Sequence, residues 1–567
     1  MSQALADLRS YDVLVILNEM KEGKSKRYNL LLNQFSNPQT SPQFYMAALQ
    51  GLKDCVSVLR QEFDAVVGTL LKMDWLKQTA EVITLYKALI LDLIAAHTYY
   101  LNPCLRMIVL SFTPKILPSD IDKIQGDHIR TANEQAFLHL HDLLQSLSKI
   151  VPMATRALIP LMAECQPYLK KSAYQQECYF RNLLKITGYA PTLRSTVLTI
   201  IIDRLMKLDV CASREAIQEA EENTTEAQMF AMDLNEEKIV EVKPMQHAEA
   251  DRLDQIMHLL LYYIHFVCYE KDELKWTECK TIFRELLTVF DKIVVKTYAS
   301  SHTQFFMFYI CSFNDLLVEG FLDYLWKRVQ NPSHGMVFRQ ASVAYMASFI
   351  ARAKYVNGSS VTACLDLLVA WIHNYIKNSS DSVKVDIEHH GTFYSVCQAL
   401  FYILVFRHKE LLASSKGVKR VQGFNLQTIV TCRLNPLKFC LPIIANTFVS
   451  IARIHQLAFC DTVMEKNRRQ HLPIAAQDKM MQHNPLDSFF PFDPYILTRS
   501  KDFITELYQE FEGNVMEEGH EGMEDEELDL YEHKESASVA MALSASSLPK
   551  SPPDFMMYGT SPGFHHP

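Results

Sequence analysis

Apolar residues return every three or four positions over most of this 567-residue chain. That spacing keeps one face of a helix turned to a core. After Arg252 they fall at Leu253, Ile256, Met257, Leu260, Leu261, Ile264 and Val267. The stripe recurs at Ile282, Phe283, Leu286, Leu287, Phe290, Ile293 and Val294. Between Ser195 and Leu208, Thr196, Thr199, Asp203 and Lys207 line one polar face and isoleucines and leucines cover the rest. So wide an apolar surface predicts a helix set between neighbours. Several helices are predicted to open near a proline, whose missing N–H is harmless in the first turn: Pro103, Pro152, Pro191, Pro332 and Pro436. The first three stand 49 and 39 residues apart, close to the roughly 40–47 residues of HEAT and armadillo helix pairs. The expected fold is all-α, a degenerate HEAT-like α-solenoid.

Two stretches break the period. Residues 219–249 are acidic and weakly periodic, and are expected to form a linker or loop. From about Gly513 the chain turns acidic again, then small and proline-containing, with too few apolar anchors to offset its ordering entropy. The expected organisation is therefore N-terminal repeats over 1–218, an acidic loop over 219–249, C-terminal repeats over 250–512 and a disordered tail over 513–567.

Composition narrows the chemistry. Glycine numbers only 16, under half of its usual share of roughly 7%, which disfavours the tight turns and phosphate-cradling loops that depend on it. A net charge of −9 argues against wholesale coating of nucleic acid while leaving room for a local basic patch. The 13 cysteines are scattered with no Cys-x-x-Cys, so they read as reduced thiols in helical cores, in the cytosol or nucleus. The N-terminal residues lack the order of a signal peptide. The most apolar runs, such as 257–269 and 305–313, fall short of the about 20 residues needed to span a bilayer. No membrane partner is expected.

Candidate catalytic and metal groups do not converge. Gly23-Lys24-Ser25 has the end of a phosphate-binding loop but has Asn18 where that motif needs glycine. His389-His390 and His139-x-His141 lack Cys or carboxylate at ligand spacing, so they are read as surface or packing histidines. The paired carboxylates lie in the acidic segments, where nothing would desolvate them. No enzyme activity, cofactor, metal or small-molecule substrate is expected. Aromatic residues cluster at 305–309 and again at Phe489, Phe490, Phe492 and Tyr495. The second cluster is broken by prolines and either plugs the repeat array or presents rings to a partner. Basic residues gather at Arg339/Arg352/Lys354, Arg407/His408/Lys409, Lys416/Lys419/Arg420 and Lys466/Arg468/Arg469, a surface suited to DNA or an acidic protein.

Several stretches carry a family resemblance: HTQFFMFYICSF (302–313), ASFIARAKYV (347–356), CLDLLVAWIHNYI (364–376), HGTFYSVCQALFYILVFRHKELL (390–412), LNPLKFCLPIIANTF (434–448) and NPLDSFFPFDPYILTRSKDFI (484–504). In the first half QECYFRNLLKI (176–186) and LDVCASREAIQEAEE (208–222) fit as well. In order and spacing, from about residue 11 to 512, the chain resembles the RNA polymerase I initiation factors known as transcription initiation factor IA. The resemblance implies a HEAT-repeat protein of the nucleus and nucleolus that binds the stalk side of RNA polymerase I and joins it to promoter-bound core factor. It also implies control by phosphorylation. In that family the Ala-Arg-Ala-Lys stretch lies in a region linked to core-factor contact, here Ala351, Arg352, Ala353 and Lys354, with Arg352 and Lys354 expected to be solvated. Arg407 and Lys409 are further candidates for partner contact. The chain departs from the family's pattern in three places. A basic N-terminal extension is missing, 118–133 is short and mixed in charge where an acidic, serine-rich loop is expected, and Met153-Ala154 stands where Ser-Thr is familiar. Ser551-Pro552 and Ser561-Pro562 offer proline-directed kinase sites. Each phosphate would add roughly −1.5 to −2 charges to the tail and strengthen its competition for the basic face; equal polymerase binding by wild type and a Ser551→Asp/Ser561→Asp variant would sink this idea. Two other readings compete. A general α-solenoid scaffold or nuclear transport adaptor would bind transport factors instead, and a direct DNA binder would hold naked ribosomal promoter DNA in a salt-sensitive way.

Overall fold

The computed structural model describes residues 10–37, 40–115, 127–231, 244–297, 300–379, 384–470, 486 and 490–511. They are overwhelmingly helical, with one short hairpin, β1 (Tyr269–Glu270) and β2 (Glu273–Leu274). Among them, no helix is long and apolar enough to cross a membrane. The chain divides between Val289 and Phe290 into two compact units.

The first unit runs through α1 (Ser10–Lys21), α2 (Lys26–Ser36), α3 (Pro42–Asp54), α4 (Asp64–Lys72), α5 (Ala80–Ala96), α6 (Leu101–Ser111), α7 (Asp127–Ile150), α8 (Ala154–Glu164), α9 (Ala173–Tyr189), α10 (Arg194–Cys211), α11 (Arg214–Ala231), α12 (Ala248–Cys268) and most of α13 (Trp276–Lys292). From α1 to α10 each helix meets its second neighbour. α1 packs on α3, α3 on α5, α5 on α7 and α7 on α9, while α2 packs on α4, α4 on α6, α6 on α8 and α8 on α10. Two rows of stacked helices result, the all-α repeat architecture read from the periodicity. The stripe on α12 is buried from Leu253 to Ile264, and on α10 Asp203 and Lys207 pair outside, at 2.7 Å, while Ile200, Ile201 and Ile202 turn inward.

Local signals set the ends of these helices. Ser41 accepts from the Phe44 N–H at the start of α3, with Pro42 behind it, and Ser172 accepts from the Gln175 N–H at the start of α9. Gly23 closes α1 with φ +88°, its N–H on Met20 and that of Lys24 on Glu19, the paired bonds of a left-handed helix stop. The Gly-Lys-Ser triplet is thus punctuation between two helices.

The acidic segment is not a loop throughout. Its first part, 219–231, continues α11, because Ala, Glu and Gln favour helix whatever the net charge. Residues 232–243 lie outside the described residues. Beyond them α12 packs on α9 and α10, so the helices after the acidic segment continue the first unit and the division comes only within α13.

The second unit holds α14 (Phe305–Cys311), α15 (Asp315–Gln330), α16 (Met336–Arg352), α17 (Gly358–Asn378), α18 (Ile387–Leu412), α19 (Ser415–Gln422), α20 (Leu426–Thr431), α21 (Pro436–Phe439), α22 (Pro442–Ile454) and α23 (Asp461–Gln470). Here one helix organises the rest. α18 is buried at every position from His390 to Arg407 and is flanked by α16, α17, α19, α21 and α22. A helix apolar on all sides needs neighbours on all sides. Residues 490–511, mostly without regular structure, then fold into the unit. Phe492 is fully buried with its ring 5.3 Å from Phe305, 5.4 Å from Phe308 and 5.8 Å from Phe349, and Phe490 stacks on Tyr402 at 4.6 Å. The two aromatic runs of the sequence therefore meet as one core, and the second is a plug. Cysteines are free and mostly buried, Cys211 being exposed and Cys432 half-buried. The tail 513–567, with Ser551 and Ser561, lies outside the described residues.

Candidate functional site

The Ala-Arg-Ala-Lys stretch sits where α16 ends. A helix terminus leaves carbonyls without intrahelical donors, and here another helix supplies them. Arg407 of α18 donates from Nε to Ile350 O at 3.0 Å and from Nη2 to Ala353 O at 2.7 Å, and its Nη1 reaches Glu410 at 3.0 Å. A guanidinium at a helix C-terminus also opposes the partial negative charge there. Burial works against the Arg407 charge and draws its pKa down, with Glu410 countering.

Arg352 is the correction to the sequence reading. It is 1% exposed, not solvated. Its Nη2 donates to Asp493 Oδ1 at 3.3 Å and its Nη1 to Gln509 O at 3.5 Å. Its guanidinium lies 4.5 Å from the Phe406 ring centroid and 5.3 Å from that of Tyr508. Burial alone would lower its pKa, but Tyr402, Tyr508 and Asp493 outweigh that and hold it above the ordinary value. The backbone closes the clasp. Lys354 N donates to Leu507 O at 3.0 Å and Gln509 N to Arg352 O at 2.7 Å, an antiparallel bridge pairing Ala353 with Tyr508. Ala351 and Ala353 are wholly buried, and small side chains permit this close approach.

Of the six candidate contact residues, Ala351, Arg352, Ala353 and Arg407 thus form the interior of a joint, all four buried where α16, α18 and residues 507–509 meet. Lys354 and Lys409 stand exposed at its rim. The other basic groups divide similarly. Arg339 turns inward to Val329 O at 2.7 Å. Lys416, Lys419 and Arg420 on α19, and Lys466, Arg468 and Arg469 on α23, are exposed, with Arg420 paired to Asp366 and Arg469 to Glu465.

The histidines are packing residues. His141 bonds Tyr189 Oη at 2.9 Å and Asn182 Oδ1 at 3.0 Å, and burial lowers its pKa to about 4. His390 meets Tyr375 Oη at 2.9 Å. Among the described residues no three His, Cys, Asp or Glu side chains gather to hold a metal.

Two exposed aromatics escaped the sequence reading. Phe459 is 82% exposed, its backbone held at both ends by one amide: Gln427 Oε1 accepts from its N–H at 2.7 Å and Gln427 Nε2 donates to its carbonyl at 3.5 Å. Tyr168 is 84% exposed in a loop whose carbonyls accept from buried Gln176 and, at Lys170 and Lys171, from Arg252. Periodicity had no means of marking them, since both lie between helices.

Comparison with known proteins agrees with this architecture. The profile of the family described as RNA polymerase I specific transcription initiation factor RRN3 matches residues 4–515. RNA polymerase I-specific transcription initiation factor RRN3 of Mus musculus is 39% identical over 537 residues, covering 89% of this chain and 81% of the mouse protein. The factor of the same description from Schizosaccharomyces pombe is 24% identical over 568 residues, covering 93% and 89%. A crystal structure of RNA polymerase I transcription initiation factor Rrn3 superposes with a TM-score of 0.69 over 88% of this chain and 98% of that one; at 21% identity this likeness speaks for the fold. With a family match over residues 4–515 and a mouse relative this similar, the chain belongs to the RNA polymerase I specific transcription initiation factor family RRN3.

Proposed function

We propose that this chain binds RNA polymerase I on its stalk side and joins it to promoter-bound core factor, starting ribosomal RNA synthesis in the nucleolus. The observation that carries the reading is that the family match runs through both units rather than one. A factor that joins two bodies needs two faces, and a repeat stack and a plugged helical unit offer different ones. Lys354 and Lys409 are the residues of the basic region that reach a partner, while Arg352 and Arg407 hold them in place. The test is affinity purification of the tagged chain from nuclear extract, with mass spectrometry of what accompanies it. Polymerase I subunits without those of polymerases II and III are expected. Transport factors in their place would put the scaffold or nuclear transport reading first. The joining step is tested separately: Lys354→Glu/Lys409→Glu is expected to keep polymerase and lose core factor, and loss of neither would remove these lysines from the site.

A second reading adds direct contact with ribosomal promoter DNA, favoured by exposed Lys416, Lys419, Lys466 and Arg468. It requires affinity that falls steeply with salt. Binding to promoter DNA indifferent to salt, or undetectable, would dismiss it.

A further inference from the structure

The described chain ends at a fixed place. Tyr508 Oη donates to Phe492 O at 3.0 Å, Gln509 is tied to the end of α16, and the Phe511 ring lies 4.9 Å from that of Phe406. The chain therefore leaves the second unit beside the end of α18. A hollow of about 230 Å³ opens there, lined by Phe406, His408, Lys409, Gln509 and Phe511 among others. Five residues further along α18, about 8 Å along its axis, Leu411 meets α19 so closely that a Cβ on Gly417 would stand 2.1 Å from its carbonyl oxygen. α19 begins under the Ser414 cap and exposes Lys416, Lys419 and Arg420. His455, from the end of α22, lies close enough to His408 for their charges to interact.

Positive charge outweighs negative on this face. Its nearby carboxylates are already engaged, Glu410 with Arg407 at 3.0 Å, Asp366 with Arg420 at 2.6 Å and Asp461 with Arg453. Among the described residues no ion pair forms at Lys416 or Lys419. The sequence that follows Phe511 is the opposite. Residues 512–535 carry eleven carboxylates against one lysine, with Leu528, Leu530 and Tyr531 set among them.

We propose that the acidic stretch 517–532 docks on the basic face formed by the end of α18 and α19 of its own chain, so that an acidic partner or DNA gains this face only by displacing it. The reach is sufficient. Sixteen residues of random coil span roughly 20–24 Å, against the about 8 Å along α18 that separates Phe406 from Leu411. Tethering also concentrates the tail to about the millimolar range, so that even a contact of roughly 100 µM intrinsic affinity would be closed about ten times in eleven. The proposal is independent of which partner the face serves, and it is tested without polymerase.

The test uses the full chain, with a short random-sequence DNA duplex at low salt as the polyanion probe. Glu524→Gln/Asp525→Asn/Glu526→Gln/Glu527→Gln is expected to bind that duplex about tenfold more tightly than wild type. Adding Lys416→Gln/Lys419→Gln is expected to abolish the gain. A carbodiimide, which joins only touching amines and carboxylates, is expected to link Lys416 or Lys419 to tail carboxylates. In a mixture of isotope-labelled and unlabelled chains those links should fall within single copies. Unchanged affinity on neutralising the tail, or a gain that survives loss of both lysines, overturns the proposal. Links only between copies would make a second chain the occupant and overturn it too. If the duplex binds none of the chains, the crosslinks decide alone, and their absence overturns it.

Discussion

The two units are built from helices of similar composition but hold together differently. In the first, α1 to α10 lean each on the next-but-one, so contacts are local along the chain and the core is a succession of similar layers. In the second, α18 is enclosed by five other helices, and residues 490–511 return over more than a hundred positions to meet Phe305, Arg352 and Ser348. The first arrangement tolerates variation within any one layer, because stability is close to a sum of repeats and their interfaces. The second concentrates its dependence on a few long-range contacts. Placing two arginines at a single helix end is such a dependence, since both reach partners far away in sequence.

The largest effect is expected where that dependence is densest. Arg352→Ala removes the cation 3.3 Å from Asp493, itself fully buried, and breaking a buried pair from one side costs roughly 3–5 kcal/mol. Hydrogen exchange should show 490–511 and the end of α16 losing protection together, with α1 to α10 unchanged. Equal protection of 490–511 in variant and wild type would remove the clasp from this account. The matching change in the repeat stack is Leu89→Ala. Leu89 is fully buried on α5, and the cavity should cost about 3 kcal/mol. Because α5 touches chiefly α3 and α7 among the long helices, faster exchange should spread to those and fade beyond. An equal loss across all of α1 to α10 would mean that the stack unfolds as one body.

The same contrast decides what could be read from sequence. The repeat stack was legible because its contacts obey a period: the stripe at Leu253, Ile256, Met257, Leu260, Leu261 and Ile264 is buried as its spacing requires. Proline near a helix start also told true at Pro103, Pro191 and Pro436. The aromatic runs could be recognised as core-forming, though not that they would meet each other. Arg352 was misjudged for a reason of principle. An arginine between two alanines at a helix end looks solvated until a segment 141 residues downstream brings it a carboxylate and the Tyr508 ring, and α18 brings it the Phe406 ring. Arg407 fails in the same way, since its task is to cap a helix other than its own. The helical start of the acidic segment was hidden for the opposite reason, charge drawing attention away from good local propensity at Ala220, Glu221 and Glu222.

Acid sharpens the comparison next. His141 lies between Phe112, Tyr189 and Asn182 in the first unit, and burial lowers its pKa to about 4 against an ordinary 6.5. The unfolded chain then binds the proton more readily than the folded one. Stability from this group is complete above the ordinary value, falls as pH drops through 6.5, and is lost by about pH 4. The span corresponds to about 3 kcal/mol. Denaturant unfolding of wild type and His141→Gln across that range should show a slope in the first and a flatter profile in the second. Parallel profiles would show that other groups govern the acid response. His390 in the second unit is drawn down in the same direction by burial, with Asp386 countering, so a His390→Gln variant separates the two contributions.

The smallest effect asks whether equal local changes are felt equally. Ser172 caps α9 by accepting from the Gln175 N–H at 3.3 Å, and Ser414 caps α19 by accepting from the Gly417 N–H at 3.0 Å. Replacing either by alanine removes one acceptor and should cost about 1 kcal/mol. α9 lies within the stack, touching α7, α10 and α12, and its opening exposes apolar surface on several helices, so Ser172→Ala should lower the unfolding midpoint of the first unit. α19 has eight residues, one of them buried, and can fray without uncovering a core. Ser414→Ala should therefore speed exchange within 415–422 and leave the midpoint of the second unit where it was. A shifted midpoint for Ser414→Ala would make α19 part of the support of α18, and the basic face it carries would then be as rigid as the clasp beside it.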